Sequence, residues 1–318
     1  MLTAVPRPAS LKRISIERLS ASGSAFESLT FPRYRSLLES PKNGIVAFAA
    51  AAGLRPVGLA LAEFTGPEGE AQLLSLGVAA PDRRQGVGSA LLRACEAALA
   101  DSGCKLMVAY HSSRLSAAPA FEATLRSCGW EASQVREVRS AGRCGAIASG
   151  IAQWPGIQRL LRNPSLSFSP WSTVTAADDP AIERLSSEPA CGTYMSPKSW
   201  TGHIEPRVSI AIRRGSELVG WMLFRLDTTD PEPTLYCETA YIQHDLWRTG
   251  ILAAGYLHGY RAVAEHFGPH AIVRFFTVPR MPGMMALVRR RFAPVSLWVD
   301  DWLFSRKVLN SPSLLCKG

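Results

Sequence analysis

The chain has 318 residues, of which 47% are hydrophobic and 19% are charged. This length predicts about two folded domains and excludes a disordered chain, and no apolar run approaches the ~18 residues that span a bilayer, so we expect no membrane partner. The formal net charge of +9 attracts polyanions, but the basic residues lie in short clusters, so nucleic acid is not the expected partner.

The amino-terminal segment, residues 1–24, is rich in Ser, Arg and Lys and contains a single acidic residue, Glu17. It resembles a transit peptide weakly and lacks the apolar core of a secretory signal, so we expect a frayed start to a cytoplasmic protein. The seven cysteines form no CxxC pair, and their number is odd. A disulfide framework and a zinc site are therefore not expected, and we assign no metal.

An internal repeat runs along the chain with an offset of about half its length. Three elements recur in the same order: a strand–turn–strand (44–64 and 207–226), a further strand (71–78 and 234–242) and a helix (89–101 and 251–267). The repeat predicts two copies of one fold. We place them at residues 1–150 and 165–318, joined by a Gly-, Ser- and Pro-rich linker at 151–164.

The turn before the first of these helices carries the most specific chemistry. A strand ends at Val78, and a loop with two arginines leads to a helix that begins near Ser89. Unpaired N–H groups at a helix N-terminus attract phosphate, and glycines let the backbone approach it closely. The sequence predicts an anion site formed by Val78, Arg83, Arg84, Gln85, Gly86, Val87, Gly88 and Ser89.

Other glycine-loop motifs fit this turn less well. A P-loop needs GxxxxGK[ST], which the chain does not contain. A dinucleotide fold needs GxGxxG, and Leu91 stands at the position of its third glycine. A tight strand–helix turn that binds no ligand remains an alternative.

The turn resembles the acetyl-CoA motif [RQ]xxGx[GA] of the GNAT N-acetyltransferase superfamily at Arg83, Gly86 and Gly88. The order of elements resembles that family twice. The resemblance implies an α/β (α+β) chain of two tandem GNAT-like domains, each with a mixed, mostly antiparallel twisted sheet flanked by helices. It also implies acetyl-CoA as cosubstrate and an amine acceptor, with the backbone N–H groups of Gln85–Ser89 around the CoA pyrophosphate and the strand edge near Val78 along the pantetheine.

The second copy departs from the motif. It keeps Gly250 but has Trp247 at the Arg/Gln position and Leu252 at the second glycine. Because a leucine side chain crowds a phosphate, we expect acetyl-CoA in the first copy. Arg248 is left either as a phosphate ligand or as plain surface charge.

The residues that would move protons are harder to assign. Many GNAT enzymes use a tyrosine four residues before a Gly–aromatic pair, and here Leu125 and Leu287 occupy that position. We therefore consider Glu238, on the same strand face as Ile242 by alternation, and Tyr110 with His111, at the end of the fifth strand. Each has a structural alternative: a half-exposed strand residue for Glu238, and a surface or capping residue for His111.

Three functions follow from this pattern. The first is a tandem GNAT enzyme whose first copy binds acetyl-CoA and whose second copy shapes the acceptor pocket or a partner surface. The second is a non-catalytic GNAT-like module that senses acyl-CoA or binds protein or RNA, because neither copy has the tyrosine. In the third, the second copy holds the active centre around Glu238 and the first is structural.

Overall fold

The computed structural model describes residues 14–19, 23–39, 43–64, 69–229 and 232–309. Its strands are β1 (Ile14–Arg18), β2 (Ile45–Ala52), β3 (Arg55–Phe64), β4 (Glu70–Val78), β5 (Leu106–Ser112), β6 (Gln134–Arg143), β7 (Leu166–Pro170), β8 (Ile210–Arg214), β9 (Glu217–Asp227), β10 (Thr234–Ile242), β11 (Ile272–Thr277) and β12 (Trp298–Val308). Its helices are α1 (Ser36–Glu39), α2 (Val87–Asp101), α3 (Ala118–Ser127), α4 (Cys144–Ala152), α5 (Ile157–Leu161), α6 (Asp179–Ser186), α7 (Gly192–Met195), α8 (Ile251–Phe267) and α9 (Pro282–Leu287).

The chain divides into two compact units. Unit 1 comprises Met1–Arg136 and Trp302–Gly318, and unit 2 comprises Glu137–Asp301. This division differs from the boundaries expected at 1–150, 151–164 and 165–318, since residues 302–308 pair with β5 and so return to unit 1. The expected linker also contains helix α5, which forms because Ile157 is buried against unit 2.

Unit 1 has a sheet in the order β1-β2-β3-β4-β5-β12. Its first four strands form antiparallel pairs, β5 runs parallel to β4, and residues 302–308 of β12 pair antiparallel with β5. Helix α2 buries one apolar face, including Leu91, Cys95 and Leu99, against β2, β3 and β4, as its 3.6-residue period predicts.

The start of the chain differs from expectation. Residues Ile14–Arg18, predicted to be frayed, form β1 and pair antiparallel with Phe48–Ala52 of β2. Ile14 and Ile16 alternate toward the core, which is why this short segment adopts a strand. The rest of the predicted frayed segment, residues 1–13 and 20–22, lies outside the described residues.

Strands β4 and β5 separate part-way along their length. Their parallel pairing joins Glu70–Leu73 to Leu106–Ala109. Leu74 is an extra residue in β4, because Leu73 lies opposite Ala62 whereas Ser75 lies opposite Leu61 of β3. Such a bulge bends a strand and increases its twist. The carboxyl ends of β4 and β5 therefore border a gap in unit 1.

Unit 2 repeats this construction. Its sheet has the order β6-β11-β10-β9-β8-β7, and β10 pairs in parallel with β11 only over Thr234–Tyr236. The bulge recurs in β10, where Glu238 is the residue without a partner in β9. The same pattern in both units confirms the predicted fold class, two copies of a mixed, mostly antiparallel sheet flanked by helices.

A buried polar network holds the last strand within unit 1. The Lys307 ammonium donates to Glu96 Oε2 at 2.5 Å and to the Cys128 carbonyl at 2.6 Å, and the Trp130 indole donates to Glu96 Oε1 at 2.6 Å. The Glu96 side chain is 8% exposed. Without Lys307, α2 would contain a buried carboxylate with no cation beside it.

We expect Lys307→Met to destabilise unit 1 by about 3 kcal/mol, since removing one partner of a buried ion pair leaves the other charge uncompensated. Arg306→Met is the matched control, because the neighbouring Arg306–Glu131 pair is half-exposed and worth at most about 1 kcal/mol. Chemical denaturation monitored by tryptophan fluorescence measures both. Equal losses in the two variants would show that the Glu96 network does not anchor the strand.

Candidate functional site

The loop between β4 and α2 has an unusual backbone. After Val78, residues Ala80–Asp82 form a 3₁₀ turn, and Arg84 and Gly86 then adopt positive φ angles of 61° and 80°. A left-handed conformation costs a non-glycine residue roughly 1–2 kcal/mol, so Arg84 is held there by its surroundings. In unit 2, Arg248 and Gly250 have φ angles of 63° and 86°. The two loops therefore share one backbone path.

Open space borders Gly86, the residue directly before helix α2. The first backbone bond of this helix runs from the Ala90 N–H to the Gly86 carbonyl at 3.0 Å, so helix geometry leaves the preceding N–H groups without intrahelical acceptors. A Cβ atom at Gly86 would meet nothing within 4 Å, and the nearest atoms to one at Gly88 would be those of Val78 and Thr124, at 3.6–3.9 Å. The fold does not need Gly88 for its own packing, and the open space at Gly86 leaves the N-terminus of α2 accessible to an anion.

Side chains hold the loop in this shape. The Arg55 guanidinium binds both Asp82 oxygens, at 2.6 and 2.8 Å, and this hydrogen bonding lowers the pKa of Asp82. The Arg83 Nε donates to the Val78 carbonyl at 3.0 Å, and Gln85 Nε2 donates to the Pro81 carbonyl at 3.2 Å. The loop is therefore ordered by its own contacts, and the Arg83 side chain is fixed at the end of β4.

The Ser89 hydroxyl, last of the predicted cofactor residues, lies 3.0 Å from the Ser127 hydroxyl of α3. The Thr124 side chain lies on the same helix, close to Gly88. Both α3 residues therefore lie beside the N-terminus of α2. The sequence pattern had pointed to the loop alone and had not indicated a contribution from α3.

The equivalent place in unit 2 is filled. A Cβ atom at Gly250 would lie 3.1 Å from Leu160 Cδ1, a side chain of α5. The Trp247 indole donates to the Ile242 carbonyl at 2.9 Å, replacing the bond that Arg83 makes in unit 1. An apolar side chain and an indole thus stand where unit 1 has open space and a guanidinium. Leu160 lies in the predicted linker, so no sequence signal had suggested that its side chain would lie beside Gly250.

Tyr110 and His111 lie on opposite faces of β5. His111 is 4% exposed, its Nε2 lies 3.0 Å from Glu122 Oε1 of α3, and its Nδ1 is buried with no hydrogen-bond partner among the described residues. The Tyr110 ring lies 5.3 Å from the Phe304 ring, and the Arg136 guanidinium lies 5.2 Å from its centroid. Of these two residues, only His111 therefore faces α2 and α3, the helices beside the loop between β4 and α2. Sequence reasoning had not found Glu122.

Glu238 belongs to unit 2 and is already paired. The Arg225 Nε donates to its Oε1 at 2.7 Å, and the Tyr194 hydroxyl of α7 lies 3.4 Å from its Oε2. Burial, and then the Glu238 charge, raise the pKa of Tyr194 to about 12.

The expectation that Glu238 shares a face with Ile242 is wrong. The bulge at Glu238 interrupts the alternation of β10, so that Thr239 and Tyr241 contact residues of the α6–α7 region, Met195 and Glu188. Ile242, the next residue, therefore points to the opposite face from the one that holds Glu238 and Tyr194.

Comparison with known proteins agrees with this geometry. Residues 13–125 match the Acetyltransferase (GNAT) family. A tandem GNAT protein from the clavulanic acid biosynthesis pathway, solved without AcCoA, superimposes with a TM-score of 0.52 at 14% identity, over 94% of this chain and 99% of that one. Residues 13–125 are a GNAT domain, and the chain has the tandem GNAT fold.

A second match over most of the chain is the GCN5-related N-acetyltransferase from Sphaerobacter thermophilus, with a TM-score of 0.51 at 15% identity, over 87% of this chain and 85% of that one. No curated protein matches the chain in sequence. The GNAT fold supports transfer from acyl-CoA to amines in general. Within the described ranges, no helix has the length and hydropathy to cross a membrane.

The contact between Arg55 and Asp82 gives a test of how the loop is held. We expect Asp82→Asn to increase amide hydrogen exchange across residues 79–88, because a neutral amide cannot replace a bidentate carboxylate. Asp178→Asn is the matched control, since Arg213 binds both Asp178 oxygens in unit 2, and it should leave exchange in residues 79–88 unchanged. Identical exchange in wild type and Asp82→Asn would contradict this role.

The same contact predicts a pH dependence. Because pairing lowers the pKa of Asp82, its contribution is present above the unfolded carboxyl value of about 3.9 and is lost as the pH falls through the folded value. The protection factors of residues 79–88, which correct for the intrinsic pH dependence of amide exchange, should therefore fall on acidification below about pH 4 in wild type. In Asp82→Asn, this fall should be absent.

Proposed function

We propose that the chain is an N-acetyltransferase that transfers an acetyl group from acetyl-CoA to a primary amine by direct attack. The observation that supports it most is the open space at Gly86, at the N-terminus of α2 and beside the gap between β4 and β5. A diphosphate and an extended acyl arm need these two features side by side.

Each part of the cosubstrate has residues suited to it. The backbone N–H groups of Gln85, Gly86, Val87, Gly88 and Ser89 would hold the pyrophosphate, and the arginines at 83 and 84 would add positive charge. The edge of β4 at Val78, no longer paired with β5, would bond the amides of the pantetheine arm. Bound acetyl-CoA supplies an activated thioester, and the acceptor amine supplies the nucleophile.

Unit 2 is proposed not to bind a second acetyl-CoA. Leu160 lies beside Gly250, and Leu252 stands where unit 1 has Gly88, which favours one acetyl-CoA per chain. The carboxylate of Glu238 is bound to Arg225, so an acid–base role for it needs that pair to open. We place the protein in the cytoplasm, since the six cysteines within the described residues are buried free thiols.

A second candidate function is a non-catalytic acyl-CoA sensor. Leu125 stands where many relatives carry the catalytic tyrosine, and it is 1% exposed, within the core of unit 1. A leucine in place of that tyrosine favours a protein that binds acyl-CoA without turnover. Binding and turnover therefore have to be measured separately.

Gly88→Leu tests the proposed site, because it copies the residue found in unit 2. Gly88 lies in a helix without positive φ, so leucine costs the backbone nothing and gains roughly 0.5–1 kcal/mol of helix propensity. We expect the variant to fold and its CoA affinity to fall at least tenfold, which corresponds to about 1.4 kcal/mol. Isothermal titration calorimetry with CoA measures the affinity, and thiol release from acetyl-CoA with a primary-amine panel measures turnover.

Gly250→Ala is the control in unit 2, at the counterpart of Gly86. Its positive φ and the nearby Leu160 make it destabilising, yet it should leave CoA affinity within twofold of wild type. If Gly88→Leu leaves the CoA affinity unchanged, or if only Gly250→Ala lowers it, the cosubstrate site would be assigned to unit 2. Retained CoA binding without thiol release from any amine would favour the sensor.

A further inference from the structure

The His111–Glu122 pair in unit 1 is not among the residues proposed to hold the cosubstrate. We infer that His111, positioned by Glu122, carries the proton from the attacking amine to the departing sulfur. This inference rests on the proposed acetyl transfer in unit 1. It assigns the catalytic proton transfer to one side chain and gives a carboxylate of α3 the task of orienting it.

The position of His111 on β5 supports this role. Met107, Ala109 and His111 alternate on the face of β5 that packs against α2 and α3, and the first two are fully buried in that core. Parallel pairing with β4 ends at Ala109. His111 is therefore the first residue on the helix-facing side of β5 beyond the end of the pairing, beside the gap where the thioester would lie.

The hydrogen bond to Glu122 selects the tautomer. A carboxylate only accepts hydrogen bonds, so at 3.0 Å from Glu122 Oε1 the His111 Nε2 is the donor. In the neutral ring this leaves the lone pair on Nδ1. The assignment follows from the hydrogen-bond network, as tautomers in protein structures generally do.

The unpaired Nδ1 of His111 also supports this role. It is buried and has no partner among the described residues. Leaving a buried acceptor unsatisfied costs free energy, which a hydrogen bond donated by a ligand would recover. An amine N–H or a thiol S–H is such a donor. The ring is held in place by the Phe121 ring, whose centroid lies 5.0 Å away, so Nδ1 keeps a fixed position.

The proton balance of the reaction closes with this one side chain. As the amine nitrogen bonds to the thioester carbon, Nδ1 takes one N–H proton, and the resulting imidazolium is compensated by the Glu122 carboxylate. As the carbon–sulfur bond breaks, Nδ1 returns the same proton to the sulfur. The products are an amide and a free thiol, and His111 ends neutral, so no other co-reactant is needed.

This assignment accounts for Leu125. The residue at the tyrosine position lies in the core and has no proton to give, whereas His111 approaches the gap from the strand on the same side of the sheet. The other two candidates are less suitable. Glu238 is bonded to Arg225 in unit 2, and Tyr110 faces away from α2 and α3.

Nitrogen-15 NMR of the histidine-labelled full chain tests the tautomer without any turnover. His111→Asn identifies the His111 signals by difference among the six histidines. We expect the Nε2–H tautomer in wild type, a shift of the Nδ1 resonance when CoA is added, and a mixture of tautomers in Glu122→Gln. A ring protonated on Nδ1 in wild type, or an Nδ1 resonance unaffected by bound CoA, overturns the inference.

Kinetics test the catalytic role, with acetyl-CoA and hydroxylamine as a minimal amine and thiol release as the readout. We expect His111→Asn to lower kcat about 100-fold, in the range of general acid–base catalysis. Glu122→Gln should lower kcat at least roughly tenfold, because a group that orients a catalytic histidine contributes strongly. KM for acetyl-CoA should stay within twofold in both.

Glu131→Gln is the control, since it removes a carboxylate of unit 1 that pairs with Arg306 at the surface, and it should leave kcat unchanged. Calorimetry with CoA separates the two proposals. If CoA binds and kcat of His111→Asn stays within twofold of wild type, the inference fails and the proposed acetyltransferase stands. If wild type does not bind CoA, the proposed function itself fails.

Discussion

One extra residue in the fourth strand of each unit's sheet controls what the unit can hold. A parallel ladder between that strand and the next would close the sheet, but the bulges at Leu74 and Glu238 bend the strand away after three or four pairs. The backbone groups beyond the bulge are then available to an extended ligand. The following helix starts at the end of the bent strand, so an N-terminus with unpaired N–H groups lies beside the gap.

The two units keep different parts of this arrangement. Unit 1 has open space at Gly86 and an apolar leucine at the bulge. Unit 2 has a carboxylate at the bulge, paired with Arg225, and the Leu160 side chain against its motif glycine. Each of these differences between the units changes either the free space or the charge at one position, while the backbone of the loop stays the same. The shared φ angles at Arg84 and Arg248 indicate that the loop path depends on the fold more than on a ligand.

Polar groups inside unit 1 are satisfied with few exceptions, which makes the exceptions informative. Glu96 has both Lys307 and Trp130, and Asp82 has both nitrogens of a guanidinium. Within the part of the chain that the structure describes, the His111 Nδ1 has no such partner. A ring fixed on one side by a carboxylate and unpaired on the other is well suited to exchange a proton with a ligand, because it needs no reorientation.

The sequence by itself determined the features that depend on near neighbours. The helix at 251–267 and the strand at 234–242 have the predicted bounds, because each is specified by the spacing of its own apolar residues, and the helix also by the glycines at either end. The repeat and the glycine turn before α2 were also evident, since positive φ and a missing Cβ are properties of single positions.

Only the tertiary structure decided what depends on distant segments. It returned residues 302–308 to unit 1, placed Leu160 against Gly250 and brought Glu122 to His111. It also placed Glu238 on the opposite face from Ile242, since one bulged residue reverses the alternation of every residue after it. Local patterns specify which segments bury an apolar face, but they do not specify which other segment covers it.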